Sequence, residues 1–132
     1  MPDNMDQQIM QVLGQMNQQH EALQEQIKII EQQLLELQHF REELRVLSSK
    51  DKSSILAPLG KSVFAPVEFS SSENVFVEVG AGYFVKKNLH DAEAVVEDQT
   101  RKFHEFKAQL SAEMSNLTSQ LEQVFSSMQN AQ

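Results

Sequence analysis

Apolar residues recur every seven positions along the N-terminal part of the chain. Neither proline nor strand-like alternation interrupts this stretch between residues 4 and 48. The repeat consists of Ile9, Met16, Leu23, Ile30, Leu37 and Leu44. A sustained seven-residue repeat is typical of a coiled-coil helix, so we expect one long helix over about 4–48.

The second apolar position of each repeat changes its spacing along this helix. Leu13, Ile27 and Leu34 follow their repeat members by four residues, whereas Phe40 and Leu47 follow theirs by three. Such a change displaces the apolar stripe around the helix. We therefore expect the stripe to shift near residue 37.

Between about 54 and 87 the apolar period becomes two, which is the pattern of β-strands. Val63, Val67, Val75 and Val77 belong to this alternation, and a serine-rich turn at 70–74 divides it. Glycines at positions 60, 80 and 82 supply the positive φ that tight hairpins need. We expect four short strands in two β-hairpins. Because prolines at 58 and 66 cannot donate to a ladder, their strands should pair on one side only there.

A second long helix is predicted over about 88–129. Asn88 is a good N-cap, with Asp91 in the first turn. The apolar stripe is predicted at Leu89, Ala92, Val96, Gln99, Phe103, Phe106, Leu110, Met114, Leu117, Leu121, Val124 and Met128. Two consecutive steps of four residues at Leu110 predict a break in the repeat there.

Two helices of similar length, joined by a compact insert, favour an antiparallel pair. The predicted fold class is mainly α with a small β insert: a long antiparallel coiled-coil hairpin joined by two β-hairpins, in a single domain over 1–132. Paired residue numbers should add to about 136, which places Leu37 near Gln99 and Ile30 near Phe106.

The predicted strands carry apolar residues on both faces, and small sheets leave unpaired edges. One chain cannot cover these surfaces, so we expect the strands to assemble with other subunits. The residues expected at this interface are Ile55, Leu56, Val63, Phe64, Val67, Val75, Val77, Val79, Tyr83 and Val85.

A net charge of −8 disfavours partners that are themselves negatively charged. Nucleic acid and anionic membranes are bound through lysine and arginine patches, so neither is an expected partner. The chain has no cysteine, and its N-terminus lacks a basic and then apolar leader, so we expect a cytoplasmic protein.

No pattern of catalytic or cofactor-binding residues stands out. The four histidines lack metal-ligand spacing, and Gly80-Ala81-Gly82 is too short for a phosphate-binding loop. The serine-rich segments are typical of turns and suggest no nucleophile with a base. We predict a non-enzyme without cofactor or metal.

Apolar residues are concentrated at the free ends of the two helices, in excess of what one stripe needs. They are Met5, Ile9, Met10, Val12, Leu13, Met16, Leu121, Val124, Phe125 and Met128. They could simply join the helices, or they could bind exposed apolar segments of unfolded proteins, a role that suits flexible methionine side chains.

The strand region resembles the alpha-class prefoldin signature. Its motifs are Ile55-Leu-Ala-Pro-Leu-Gly60, Ser62-Val-Phe-Ala-Pro66 and Val75-Phe-Val-Glu-Val-Gly-Ala-Gly-Tyr-Phe-Val85, between two coiled-coil helices. The resemblance covers nearly the whole chain. It departs from the family pattern at Lys86-Lys87, where an acidic residue is usual, and at Ala57, where a β-branched residue is.

The resemblance implies an ATP-independent holdase subunit. It further implies a hexamer of two alpha-class and four beta-class subunits, built through the β inserts, whose coiled-coil ends hold unfolded clients and deliver them to a group II chaperonin. It leaves open whether the partner set is archaeal or eukaryotic.

Three other functions are alternatives to the holdase. A structural coiled-coil scaffold or tether without client binding is the first, although a tether needs no β-hairpins. A coiled-coil arm that grips transfer RNA is disfavoured by the acidic charge, and an enzyme by the missing catalytic residues.

Overall fold

The computed structural model describes residues 2–130, with the side chains of 4–130. The elements in chain order are α1 (Pro2–Ser49), β1 (Lys52–Gly60), β2 (Val63–Ser70), β3 (Val75–Gly80), β4 (Tyr83–Lys87) and α2 (Leu89–Asn130). The predicted fold class, two long helices joined by two antiparallel hairpins, is confirmed. Within the described residues, neither helix has an apolar stretch long enough to cross a membrane.

The chain divides into two compact units. The first combines Met1–Leu34 with Lys102–Gln132, and the second is Leu35–Arg101. The single domain over 1–132 stays a prediction, and residues 1, 131 and 132 lie outside the described part of the chain.

Buried and half-buried side chains form a stripe along α1, with steps of four and three residues in alternation. The stripe consists of Ile9, Leu13, Met16, His20, Leu23, Ile27, Ile30, Leu34, Leu37, Arg41, Leu44 and Leu47. The alternation holds from residue 9 to residue 44, and the steps from Arg41 to Leu44 and from Leu44 to Leu47 are then both of three. The predicted shift therefore occurs at residue 44 rather than near residue 37: Leu47 lies in the stripe as predicted, and Phe40 does not.

The stripe of α1 differs from its prediction because Arg41, and not Phe40, occupies it. Phe40 is 47% exposed, while Arg41 occupies the stripe with a half-buried side chain. Its guanidinium Nη2 donates to Glu97 Oε1 on α2 at 2.5 Å. A long aliphatic stem can thus cover apolar surface while the charge reaches solvent and a partner.

The stripe on α2 differs from its prediction at two positions, and its other ten predicted members are buried or half-buried. From Val96 onward its members are Val96, Thr100, Phe103, Lys107, Leu110, Met114, Leu117, Leu121, Val124 and Met128. Gln99 is exposed and Phe106 is 48% exposed, so both predicted positions are wrong. Two consecutive steps of four residues occur at Val96, not at Leu110.

Within the first unit, a thin apolar seam joins the two helix segments. Its most buried side chains are Met16, Ile30, Leu110 and Leu117. Lys107 Nζ lies 3.3 Å from Glu31 Oε1 across the helices. Residue 31 therefore faces 107, two positions from the predicted 105, a distance that long charged side chains can span.

The core of the second unit lies where α1 ends and α2 begins. Leu44, Leu89 and Val96 form its buried cluster, and Phe69 and Val75 from the hairpins pack against it. The predicted N-cap is present, since the backbone N–H of residue 91 donates to the Asn88 side-chain oxygen at 2.7 Å. The cap and the cluster together fix the start of α2 against the hairpins.

The four strands form two separate two-stranded antiparallel sheets, β1–β2 and β3–β4. Each strand pairs on one side only, which accommodates the prolines at 58 and 66 as predicted. Both hairpins turn in the same way: a glycine with φ near 120° precedes two residues with positive φ, Lys61-Ser62 in one and Ala81-Gly82 in the other. Two consecutive positive φ values define the tight turn that matches strand twist.

We predict that Leu44→Ala lowers the free energy of unfolding by about 2–5 kcal/mol, because it leaves a cavity in the second unit's core. Leu35→Ala is the matched control. Leu35 is 56% exposed, so its loss should change stability by no more than about 0.5 kcal/mol. Urea unfolding at one fixed protein concentration measures both, and equal effects would contradict this core.

We predict that Ser62→Gly stabilises the protein by about 1 kcal/mol, because a positive φ strains a side chain but not glycine. Ser62 has φ 66°. The control is Ser54→Gly, within β1, where glycine should destabilise. The urea midpoint should rise for the first variant and fall for the second, and a fall for both would refute the turn geometry.

Candidate functional site

An open groove lies between the ends of α1 and α2 in the first unit. Its volume is about 720 Å³. It is lined by Met5, Gln8, Ile9, Val12, Met16, Gln120, Gln123, Val124, Ser127 and Met128. We call these ten residues the Met–Gln groove.

The groove combines apolar walls with uncharged polar groups. Met5 is 64% exposed and Val12 is 45% exposed, whereas Met16 is buried and forms the floor. The apolar side chains come from stripe positions and from the positions flanking them. The lining contains no charged residue. Such a surface can bind apolar side chains through contact and peptide groups through the glutamine amides.

Six of the ten residues predicted at the helix ends line this groove. They are Met5, Ile9, Val12, Met16, Val124 and Met128. Leu13 and Leu121 are half-buried in the stripe instead, while Met10 and Phe125 are 67% and 53% exposed outside the groove. Their role in binding clients stays a prediction.

Four polar lining residues were absent from the predicted set, because that set rested on apolar side chains. They are Gln8, Gln120, Gln123 and Ser127. Helical spacing contained the signal, because side chains four residues apart share a face. Gln8 precedes Val12 by four residues, and Gln120 precedes Val124 by four.

A second candidate site is the apolar surface of the hairpins. Of the residues predicted there, Leu56, Val63, Phe64, Val67, Val79, Tyr83 and Val85 are exposed, and Ile55, Val75 and Val77 are half-buried. Val75 also packs against the core of its unit. The ten residues remain a predicted interface.

Strand register places apolar residues on both faces of each hairpin. In β1–β2, Leu56 lies opposite residue 66 on one face and Ile55 lies opposite Val67 on the other. In β3–β4, Phe76 is paired with Lys86, which leaves the ring 67% exposed.

Three large exposed residues of this surface were absent from the predicted set. Leu59, Phe76 and Phe84 are 70%, 67% and 62% exposed. The alternation of the strands could have identified Phe76 and Phe84, because residues at even positions in β3–β4 form the face opposite Val77.

A further groove of about 770 Å³ separates the last turns of α1 from β1. Val46 and Leu56 line it together with charged residues, among them Glu42, Glu43 and Lys52. It continues the apolar hairpin surface onto the helix.

The described residues show no arrangement for metal binding, since no three histidine, aspartate or glutamate side chains come together. The grooves are open surfaces rather than enclosed pockets with convergent acids and bases.

Known proteins share this arrangement. The family model for prefoldin subunits matches residues 16–132. The chain is 30% identical over 120 residues to prefoldin subunit alpha of Archaeoglobus fulgidus, covering 85% of this chain and 82% of that protein. It is 27% identical over 111 residues to prefoldin subunit alpha of Methanobrevibacter smithii, covering 82% of this chain and 76% of that one.

Among solved structures, a chain of the filamentous PFD from Methanocaldococcus jannaschii has a similar fold. The TM-score is 0.76 at 19% identity, covering 88% of this chain and 97% of that one. Members of the matched family are chaperones rather than enzymes, and they form oligomeric complexes with other prefoldin subunits. The chain belongs to the prefoldin family, and the relatives named above place it in the alpha class.

Proposed function

We propose that this chain is a holdase subunit that binds unfolded segments of client proteins in the Met–Gln groove, without ATP, and delivers them to a group II chaperonin. The observation that carries the proposal is an open apolar groove, walled by exposed methionine and valine, in a member of a chaperone family.

The composition of the groove suits clients that have no fixed shape. Methionine is unbranched and polarizable, so its side chain adapts to many apolar partners. Three methionines line the groove, and Met5 among them is 64% exposed. Burial of apolar surface gives roughly 25 cal/mol per Å², so a few inserted side chains suffice for reversible holding.

The same proposal assigns assembly to the hairpins. Two-stranded sheets with apolar residues on both faces and unpaired edges are stable only when other strands or helices cover them. We propose that beta-class subunits cover this surface in a hexamer of two alpha and four beta subunits in the cytoplasm.

One observation favours a second candidate, a structural scaffold without client binding. The structural relative from Methanocaldococcus jannaschii is a filamentous PFD. The hairpin surface described above could join copies of this chain in a comparable filament. Electron microscopy of the chain alone, and then with a beta-class subunit, separates filaments from closed oligomers.

For assembly, we predict that Phe76→Glu weakens subunit association at least tenfold. The new carboxylate lies opposite Lys86, so the hairpin itself should persist, but association would bury a charge. A factor of ten corresponds to about 1.4 kcal/mol. Size-exclusion chromatography with light scattering measures the mass at several concentrations.

The control for assembly is Phe106→Glu, which changes an exposed phenylalanine on α2 away from the hairpins. This variant should assemble normally. If Phe76→Glu assembles as well as the control does, the hairpin face is not the interface.

For client holding, we predict that Met5→Gln with Val12→Gln weakens aggregation suppression severalfold. Glutamine is a good helix former, so the helix should be retained while apolar groove surface is lost. Light scattering during dilution of a denatured protein, without nucleotide, measures the concentration of assembled complex needed for half suppression.

The control for client holding is Ile29→Gln with Leu35→Gln, which removes two exposed apolar side chains of α1 outside the groove. This variant should suppress aggregation as the unmodified chain does. Equal loss in both variants would argue against the groove, and an assembled complex without any suppression would favour the scaffold.

A further inference from the structure

Positive charge is confined to the middle of the sequence. All 11 lysine and arginine residues lie between positions 28 and 107, whereas residues 1–27 and 108–132 contain aspartate and glutamate but no lysine or arginine. Both excluded ranges belong to the unit that contains the Met–Gln groove. The charged side chains closest in sequence to the groove residues are therefore acidic, and the lysines of this unit, at 28, 102 and 107, lie farther along the helices.

The groove continues along the same unit in a second depression of about 480 Å³. Gln120 lines both, and the second is also lined by Gln19, Gln26, Asn116 and Glu113. Glu113 is the one charged residue in the combined lining. Asp6 lines neither depression, but it is exposed and precedes Ile9 of the groove by three residues, which places it beside the lining. We call the two depressions, with Asp6 beside them, the track.

The lining and the nearby acidic residues indicate the chemistry of the peptide that would bind here. Apolar walls accept apolar side chains, and the amides of Gln8, Gln120 and Gln123 can donate to and accept from an extended backbone. Acidic groups that are not held in an ion pair attract positive side chains and repel negative ones. Neither Asp6 nor Glu113 takes part in an ion pair found among the described residues.

We propose that this track selects, among unfolded segments, extended apolar stretches flanked by lysine or arginine. The inference rests on the proposed holdase function and adds a client class to it. Apolar contact supplies the holding, and the surrounding charge supplies the preference.

The preference for lysine or arginine flanks should be modest, because the acidic side chains are exposed to solvent. Exposed charge pairs contribute little each, so lysine flanks should strengthen binding by about three- to tenfold over neutral flanks. Screening shortens the reach of these charges to about 10 Å at 0.1 M salt. The preference should therefore shrink as salt rises, while apolar binding persists.

The test uses the full chain in its assembled complex and three fluorescent peptides. The peptides share one apolar sequence and differ only in flanks of lysine, serine or glutamate. Fluorescence anisotropy gives each dissociation constant at low and high salt. We expect the lysine-flanked peptide to bind tightest and the glutamate-flanked peptide weakest, with convergence at high salt.

Two variants locate the effect. Asp6→Asn with Glu113→Gln should remove most of the lysine preference and leave the serine-flanked affinity unchanged. Glu36→Gln with Glu73→Gln changes net charge equally outside the track and should leave the preference intact. An equal loss of preference in both variants would overturn the assignment to this track.

The outcomes separate this inference from the proposed function. If the serine-flanked peptide binds and all three affinities are equal, the charge preference is wrong while client holding stands. If no peptide binds at any salt concentration, holding at this groove is wrong, and the preference fails with it.

Discussion

The narrowness of the apolar seam is the constraint on which the rest of this structure depends. None of the described side chains is fully buried. The most buried ones, such as Leu89 and Leu110, are still 4% exposed. A helix that packs through one stripe buries only a fraction of its surface. Apolar residues beyond the stripe then stay exposed, and these are the residues available to partners.

The seam is also partly polar, and its polar members preserve its regular spacing. Arg41 and Lys107 occupy stripe positions and pair with Glu97 and Glu31. These ion pairs are exposed, so each contributes at most about 1 kcal/mol. Their consequence is geometric: the stripe keeps its steps of three and four, and the phenylalanines beside them face solvent.

The exposed apolar surface falls into two parts with different chemistry. The hairpins present rigid, β-branched and aromatic side chains with free backbone edges, which suit a partner of fixed shape. The Met–Gln groove presents methionine and amides on helices whose own backbone is satisfied, which suit a partner without one. This difference is the physical basis for proposing that the hairpins serve assembly and that the groove holds clients.

The sequence by itself determined the two helices, the two hairpins, the Asn88 cap and the six apolar groove residues, because these follow from local periodicity and turn chemistry. Only the tertiary structure decided which side chains enter the seam. Hydrophobicity favoured Phe40 and Phe106, but packing geometry placed Arg41 and Lys107 there, since a long aliphatic stem covers the seam as its charge reaches a partner. The glutamines of the groove could not be predicted either, because the polarity of a residue does not reveal whether it shares a surface with apolar residues.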